Sequence, residues 1–192
     1  MTNPTRMVGF SSKRVVDLGY AVQSSPIGDL TVVEGPRGVL LIEFRRQLPE
    51  VFGPRIEQAL GVPVRVARRR LETCRELDEY FHGERRHFTV PTDLSLVSGF
   101  RREVLEILRG VPFGVVLSYG QLARRAGRPL AARAVGGAMR SNPIPIVVPC
   151  HRVAAADGSL GGFSGGLEIK RKLHDIEGIE ARSGVWPAAA NA

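Results

Sequence analysis

Residues 131–153 read AARAVGGAMRSNPIPIVVPCHRV, and this stretch joins a helix, a turn and a buried approach to a cysteine. The first ten residues are mostly small with basic ends, and their pattern predicts a helix. Asn142-Pro143 stops that helix, because proline disfavours the helical conformation in the residue before it. The apolar run 144–148 is expected to be buried, and it leads directly to Cys150.

The residues around Cys150 give conflicting indications of its reactivity. Burial makes a thiol inert, because an apolar environment disfavours the thiolate. His151 and Arg152 oppose this, since an imidazole can accept the proton and a guanidinium favours the thiolate. The glycine-rich segment 158–166 follows closely and can bend around a small planar ligand. We therefore predict a reactive cysteine that meets a nucleic acid; a structural, buried cysteine is the alternative.

Charge supports a polyanionic partner. The 192 residues include 27 Lys and Arg against 19 Asp and Glu, for a net charge of +8. The basic residues are chiefly arginine, which grips phosphates through paired hydrogen bonds. A solvated basic surface, or arginine favoured by genome composition, is the alternative. The hydrophobic fraction of 43% is ordinary for a globular protein of one large or two small domains.

The sequence disfavours three classes of protein: disulfide-rich proteins, secreted or membrane proteins, and zinc-binding proteins. Cys74 and Cys150 are the only cysteines, so there is no disulfide framework. Neither a signal peptide nor an apolar run of about 20 residues is recognisable. Cys74, His82 and His87 have no zinc-ligand spacing, and we expect no metal. These observations predict a cytoplasmic protein, or a nuclear one in a eukaryote.

The first half of the chain has the pattern of an antiparallel meander followed by helices. Strands are predicted over 20–22, 30–33 and 39–44, helices over 49–60 and 67–81, and a further strand over 87–90. The second half is mostly helical, with predicted helices over 100–108, 119–126, 130–139 and 167–177. Ser118 is a good N-cap, and Gly127-Arg128-Pro129 separates two of these helices as in a helix-turn-helix. We expect a tail over 1–17, an α/β domain over 18–92, a DNA-binding and catalytic domain over 93–180, and a tail over 181–192.

Motifs of the second half together resemble the O6-alkylguanine-DNA alkyltransferases, also called methylated-DNA–protein-cysteine methyltransferases. They are PCHRV at 149–153, ARAVGGAM at 132–139, Asn142-Pro143, FSGGL at 163–167, Lys170 and Glu177-Gly178. The match is strong from about residue 100 to 178 and architectural before that. The resemblance implies an α+β fold, in which a ribonuclease-H-like antiparallel sheet with helices precedes a C-terminal winged-helix or helix-turn-helix domain.

The resemblance also implies a reaction. The damaged guanine is flipped out of duplex DNA, because its alkyl group is unreachable in the stack. Cys150 then takes the alkyl group in one in-line displacement, and O4-alkylthymine is a poorer substrate. The thioether is stable, so each molecule acts once and no cofactor is needed. The expected protein is a monomer on double-stranded DNA, with cooperative binding left open.

Four further residues are given roles in the chemistry by the resemblance. His151 relays the thiol proton through a water, and Glu177 orients His151. Tyr119 donates a proton or hydrogen bond to the leaving base, although a core tyrosine is the alternative. Asn142 joins the recognition helix to the cysteine loop.

Contacts to DNA are implied in the same way. Arg133 takes the place of the extruded nucleotide, with a surface ion pair as the alternative. Arg140 contacts phosphate, while the Val153 carbonyl and Ser164 contact the guanine edge. The small residues that let the helix lie in a narrow groove include Ala131, Ala132, Ala134, Gly136 and Gly137.

Phe163 departs from the family pattern, where many members carry tyrosine. It can wall the base but cannot donate a hydroxyl hydrogen bond, so rate or tolerance of bulky groups is expected to differ. Two rivals remain. Cys150 argues against a non-catalytic lesion-binding relative, and a sequence-reading regulator would need polar side chains where this helix offers small ones.

Overall fold

The computed structural model describes residues 15–180, which form a four-stranded sheet with two helices followed by a helical part. The strands are β1 (Val16–Gln23), β2 (Leu30–Gly35), β3 (Gly38–Glu43) and β4 (Val64–Arg68), arranged in the order β3-β2-β1-β4. The meander β1-β2-β3 is antiparallel, as predicted. β4 instead runs parallel to β1, so the sheet is mixed. The helix α1 (Pro49–Leu60) supplies the long connection that such a crossover needs.

Two predictions in this region are wrong. The helix predicted over 67–81 is shorter, since α2 spans Glu72–Phe81, residues 67 and 68 belong to β4, and residues 69–71 connect the two. Alternating half-buried Val64 and Val66 favour the strand there. The segment 87–90 is not a strand, because the Glu76 carboxylate accepts the N–H groups that a strand partner would have taken.

The boundary of the predicted N-terminal tail also changes. β1 begins at Val16, inside the tail expected over 1–17, and the N–H of Val16 donates to the Pro63 carbonyl at 2.9 Å. The rest of that tail, residues 1–14, and the tail expected over 181–192 lie outside the described residues.

The helical part agrees closely with the predictions. Its helices are α3 (Gly99–Arg109), α4 (Tyr119–Arg125), α5 (Ala132–Arg140) and α6 (Leu167–Ile176). Two short strands, β5 (Leu117–Ser118) and β6 (Val153–Ala154), pair in parallel. The Ser118 side chain caps α4 in a reciprocal capping box with Gln121. α4 and α5 form the predicted helix-turn-helix outline.

A shared apolar core joins the sheet part (β1 to α2) to the helical part (α3 to α6). Val32 and Ile42 of the sheet belong to the same buried cluster as Leu105 and Val148. The N–H of Ile42 also donates to the Pro143 carbonyl at 2.8 Å, which ties β3 to the turn after α5. Within residues 15–180, no helix has the length and apolarity to cross a membrane.

Candidate active site

Asn142 fixes the approach to the cysteine. Its Nδ2 donates to the Val148 carbonyl at 2.8 Å, and its Oδ1 accepts the N–H of Ile144 at 3.1 Å. Between these contacts, Ile146 has φ of 74°, a conformation that a β-branched residue rarely adopts. The side chain of Asn142 therefore closes a tight, strained loop that carries the chain from α5 to the cysteine.

Cys150 begins a short 3₁₀ helix, Cys150–Arg152, and is 3% exposed. Burial raises the pKa of this thiol to about 11, although a hydrogen bond with the Asn142 side chain and the charge of Lys170 favour the thiolate. At pH 7 a pKa of 11 leaves roughly one thiol in 10⁴ ionised. The resting nucleophile is a thiol, and its reaction needs a base.

His151 can act as that base. It is fully buried, and its Nε2 lies 2.7 Å from Oε1 of Glu177. Burial lowers the pKa of His151 below its usual value, so the imidazole is neutral near pH 7. Because a carboxylate can only accept, the proton lies on Nε2 and Nδ1 carries the lone pair. Nδ1 has no hydrogen-bond partner among residues 15–180 and is free to accept a proton.

Glu177, the residue after α6, is the centre of a buried network. Arg152 forms a bidentate pair with it, from Nε to Oε2 and from Nη2 to Oε1, both at 2.8 Å. The N–H of Gly114 and the hydroxyl of Tyr80 donate to the carboxylate at 3.0 and 2.9 Å. Burial alone would raise the pKa of Glu177, but the bonds from His151 and Arg152 hold it well below its usual range. Glu177 is therefore an ionised anchor for the His151 imidazole.

A cavity of about 700 Å³ opens between α5 and the glycine-rich segment, and Cys150 lines it. It brings together many of the residues predicted from the sequence, namely Tyr119, Arg133, Gly136, Gly137, Arg140, Cys150, Phe163 and Ser164. Burial and the negative charge of an ionised Cys150 raise the pKa of Tyr119, so its hydroxyl stays a donor beside the thiol.

The exposed side of α5 is basic and otherwise small. Arg133, Ala134 and Arg140 are exposed, and Ala132 is half-buried. Arg133 makes no ion pair with any residue between 15 and 180, so the alternative of a surface ion pair finds no support there.

Lys170, one of the motif residues in the sequence, holds the Val153 carbonyl and the glycine-rich segment together. Lys170 is fully buried, and its Nζ donates to the Val153 carbonyl at 2.5 Å and to the Leu160 carbonyl. Burial lowers the pKa of Lys170 to about 8. The Lys170 ammonium therefore fixes the position of the Val153 carbonyl and ties it to the glycine-rich segment.

Two residues of the network around His151 and Glu177 were not predicted from the sequence. Tyr80 reaches Glu177 from the sheet part, and Nε2 of His174 lies 2.6 Å from the His151 carbonyl. Neither carries a local signal, since each reads as a helix residue on an apolar face. Among residues 15–180, no group of three or more His, Cys, Asp or Glu side chains is placed to hold a metal ion.

These features define a class: a cysteine-dependent group-transfer protein built on a helix-turn-helix. Residues 18–94 match the family model of the 6-O-methylguanine DNA methyltransferase, ribonuclease-like domain, and residues 99–179 match that of the same family's DNA binding domain. The chain belongs to the 6-O-methylguanine DNA methyltransferase family, as the resemblance indicated.

Individual relatives agree with the family models. The methylated-DNA–protein-cysteine methyltransferase of Rattus norvegicus is 38% identical over 176 residues, which are 86% of this chain and 84% of the rat protein. The protein of that name from Methanosarcina acetivorans is 35% identical over 162 residues, covering 83% of this chain and 97% of its own. The crystal structure of Mycobacterium tuberculosis OGT in complex with DNA superposes with a TM-score of 0.71 at 34% identity, over 84% of this chain and 92% of that one.

Proposed function

We propose that this protein repairs O6-alkylguanine in duplex DNA by moving the alkyl group irreversibly to Cys150, with O4-alkylthymine as a poorer substrate. The observation that carries the proposal is a buried thiol lining a cavity beside α5, followed in the chain by a neutral imidazole and an ionised carboxylate. Each molecule acts once, because a thioether offers no route back to the thiol.

The chemical step follows from the protonation states. The thiol proton of Cys150 passes to Nδ1 of His151, through a water in the arrangement the resemblance implies. Sγ then forms a bond to the alkyl carbon as the bond from that carbon to O6 breaks, and the electron pair of the broken bond stays with the guanine. Tyr119 donates a hydrogen bond or a proton to the leaving base. The proton that His151 took from the thiol then returns through water to Tyr119 or to the base, which departs as neutral guanine. The imidazolium formed meanwhile is stabilised by Glu177.

Recognition uses α5. Exposed Arg133 fills the place of the extruded nucleotide, and Arg140 contacts phosphate, which adds affinity without sequence preference. The small residues Ala132, Ala134, Gly136 and Gly137 let the helix approach the minor groove closely. The cavity volume of about 700 Å³ lies within the ordinary range of ligand pockets and accommodates a flipped base.

Phe163 and Ser164 form the wall of the base pocket in this proposal. The Phe163 ring packs on Phe44 of the sheet part with centroids 5.5 Å apart, while Ser164 is exposed to the cavity. Ser164 and the Val153 carbonyl contact the guanine edge. Because Phe163 lacks a hydroxyl, the rate or the tolerance of bulky alkyl groups differs here from that of relatives with tyrosine.

We further propose that residues 18–92 form the supporting domain and residues 93–180 the DNA-binding and catalytic one, in a protein that acts as a monomer. We expect it in the same compartment as the DNA, which is the cytoplasm of a prokaryote or the nucleus of a eukaryote. Both cysteines, Cys74 and Cys150, are free thiols, which suits a reducing compartment.

The decisive experiment measures where the alkyl group goes. The full chain is incubated with a duplex that contains O6-methylguanine, and the peptide with Cys150 is weighed by mass spectrometry. We expect one methyl group per chain, none in Cys150→Ser, and full transfer in the matched control Cys74→Ser. Binding of the lesion without a gain in mass would instead identify a non-catalytic lesion-binding protein. Binding of one preferred sequence would identify a regulator.

A further inference from the structure

The hydroxyl of Tyr80 connects the sheet part to the reaction network. Tyr80 lies on α2 and is fully buried, 97 residues before Glu177 in the chain. Its hydroxyl donates to Oε1 of Glu177 at 2.9 Å, the same oxygen that lies 2.7 Å from Nε2 of His151. We propose that Tyr80 is a positioning residue for the alkyl transfer, so that the sheet part completes the network behind Cys150. This inference rests on the proposed function.

The packing of the Tyr80 ring makes its hydroxyl a rigid donor. Its centroid lies 5.4 Å from that of Phe81, 5.5 Å from Phe88 and 6.2 Å from Phe113. These neighbours come from α2, from the segment after it and from the loop after α3, so they fix the ring on several sides. A buried tyrosine hydroxyl needs a partner, and many buried tyrosines use a backbone carbonyl. Here the partner is the carboxylate that holds the base.

The hydroxyl also stays protonated. Burial and the charge of Glu177 raise the pKa of Tyr80 well above its usual value, so it donates throughout the neutral range. Donation spreads the charge of Glu177 and limits how strongly Oε1 attracts the proton on Nε2 of His151. We therefore assign Tyr80 two effects: it places Oε1, and it keeps the imidazole neutral.

Loss of the hydroxyl has a defined consequence for pH dependence. The charged and titratable groups that act on His151 are Glu177, Arg152, Lys170 and His174. Of these, Glu177 favours the imidazolium and Arg152 and Lys170 disfavour it. Without the Tyr80 hydroxyl the carboxylate becomes more basic and the pKa of His151 rises. The protonated, inactive form then persists to higher pH.

The test compares Tyr80→Phe with Tyr20→Phe in the full chain. Tyr20 lies on β1 and its ring packs on Phe52 at 5.8 Å, so the control removes one hydroxyl from an aromatic pair of the same sheet part. Single-turnover transfer from an O6-methylguanine duplex is followed between about pH 5 and 9. For Tyr80→Phe we expect a rate about tenfold lower at neutral pH, the effect of one hydrogen bond to a charged group. The acid limb of its rate profile should move to higher pH.

Two further measurements separate positioning from folding. The final yield of methylated Cys150 reports the folded, active fraction, and affinity for an undamaged duplex reports the α5 surface. Both should match the wild type in Tyr80→Phe, and Tyr20→Phe should match it in every measurement.

A Tyr80→Phe variant with wild-type rate and an unmoved acid limb would overturn the inference and leave the proposed function intact. If the yield of methylated Cys150 falls enough to explain the slower transfer of Tyr80→Phe, and the acid limb of its pH–rate profile does not move, Tyr80 contributes only to packing. A wild-type chain that transfers no methyl group would overturn the proposed function and this inference with it.

Discussion

Replacement of Glu177 by glutamine tests the centre of the network, because it removes one charge and almost no volume. In the native protein the carboxylate accepts hydrogen bonds from Tyr80, His151, Arg152 and Gly114. An amide has only one accepting oxygen, so its NH₂ group must face donors that it cannot satisfy. The guanidinium of Arg152, which is 5% exposed, is left without its counter-ion.

The expected loss of stability in Glu177→Gln follows from the unpaired charge of Arg152. Removal of one partner of a buried ion pair costs about 3–5 kcal/mol of the free energy of unfolding. The bond of Arg152 from Nη1 to the Val111 carbonyl at 2.6 Å remains, and it places the expected loss of stability near the lower end of that range. The transfer rate should fall about 10²–10⁴-fold, because the single amide oxygen is contested by several donors and the negative charge that stabilises the imidazolium of His151 is gone.

Urea unfolding followed by circular dichroism measures the stability, and single-turnover methyl transfer measures the rate. The matched control is Glu168→Gln on α6, whose carboxylate is exposed and pairs with Lys172 at 3.3 Å. Neither quantity should change measurably in the control.

A double variant, Arg152→Met with Glu177→Gln, separates the two effects. Because it removes the stranded cation, part of the stability should return while the rate stays low. If Glu177→Gln alone has a free energy of unfolding within about 1 kcal/mol of the wild type and a transfer rate within about threefold of it, Glu177 is not an ionised anchor. Recovery of the rate in the double variant would show that the loss came from Arg152 instead.

Three further predictions concern the support of the site. In Gly165→Ala, the new Cβ would lie 2.8 Å from the Phe44 ring, so we expect the free energy of unfolding to fall by about 1–3 kcal/mol and transfer to slow. In the control Gly162→Ala the new Cβ has no protein atom within 4 Å, so its stability in the same urea titration should match the wild type. Ser118→Ala removes the cap of α4 and should lower the free energy of unfolding by about 1 kcal/mol, as measured by urea titration. Burial lowers the pKa of His174 from 6.5 to about 4, so the stability that this histidine contributes is present above pH 6.5 and is lost as pH falls. The loss at pH 5 is about 2 kcal/mol, and urea midpoints at pH 7 and pH 5 should differ less in His174→Gln; an equal difference would contradict the assignment.

Local signals in the chain predicted much of the fold and pointed to Cys150 and His151, while the family resemblance supplied the other candidate site residues. Ser118 and the Asn142-Pro143 turn mark element boundaries through short-range hydrogen bonding and sterics, and they are visible without any partner. The errors arose where two local patterns competed. At residues 64–68 a short alternating pattern adjoins a helical one, and these residues form a strand because they pair with β1. Residues 87–90 do not form a strand, because the buried carboxylate of Glu76 accepts the backbone N–H groups of Thr89 and Val90.

The sequence by itself indicated a reactive cysteine, because a thiol and an imidazole are neighbours along the chain. The guanidinium of Arg152, which was expected to favour the thiolate, instead pairs with Glu177, and the charge of Lys170 favours the thiolate in its place. The tertiary structure decided how that chemistry is controlled. Burial holds Cys150 as a thiol at rest. A contact across 26 residues places His151 against Glu177, and Tyr80, 97 residues before Glu177, donates to the same carboxylate. Such effects depend on solvent exclusion and on distances between remote segments, which no local pattern encodes.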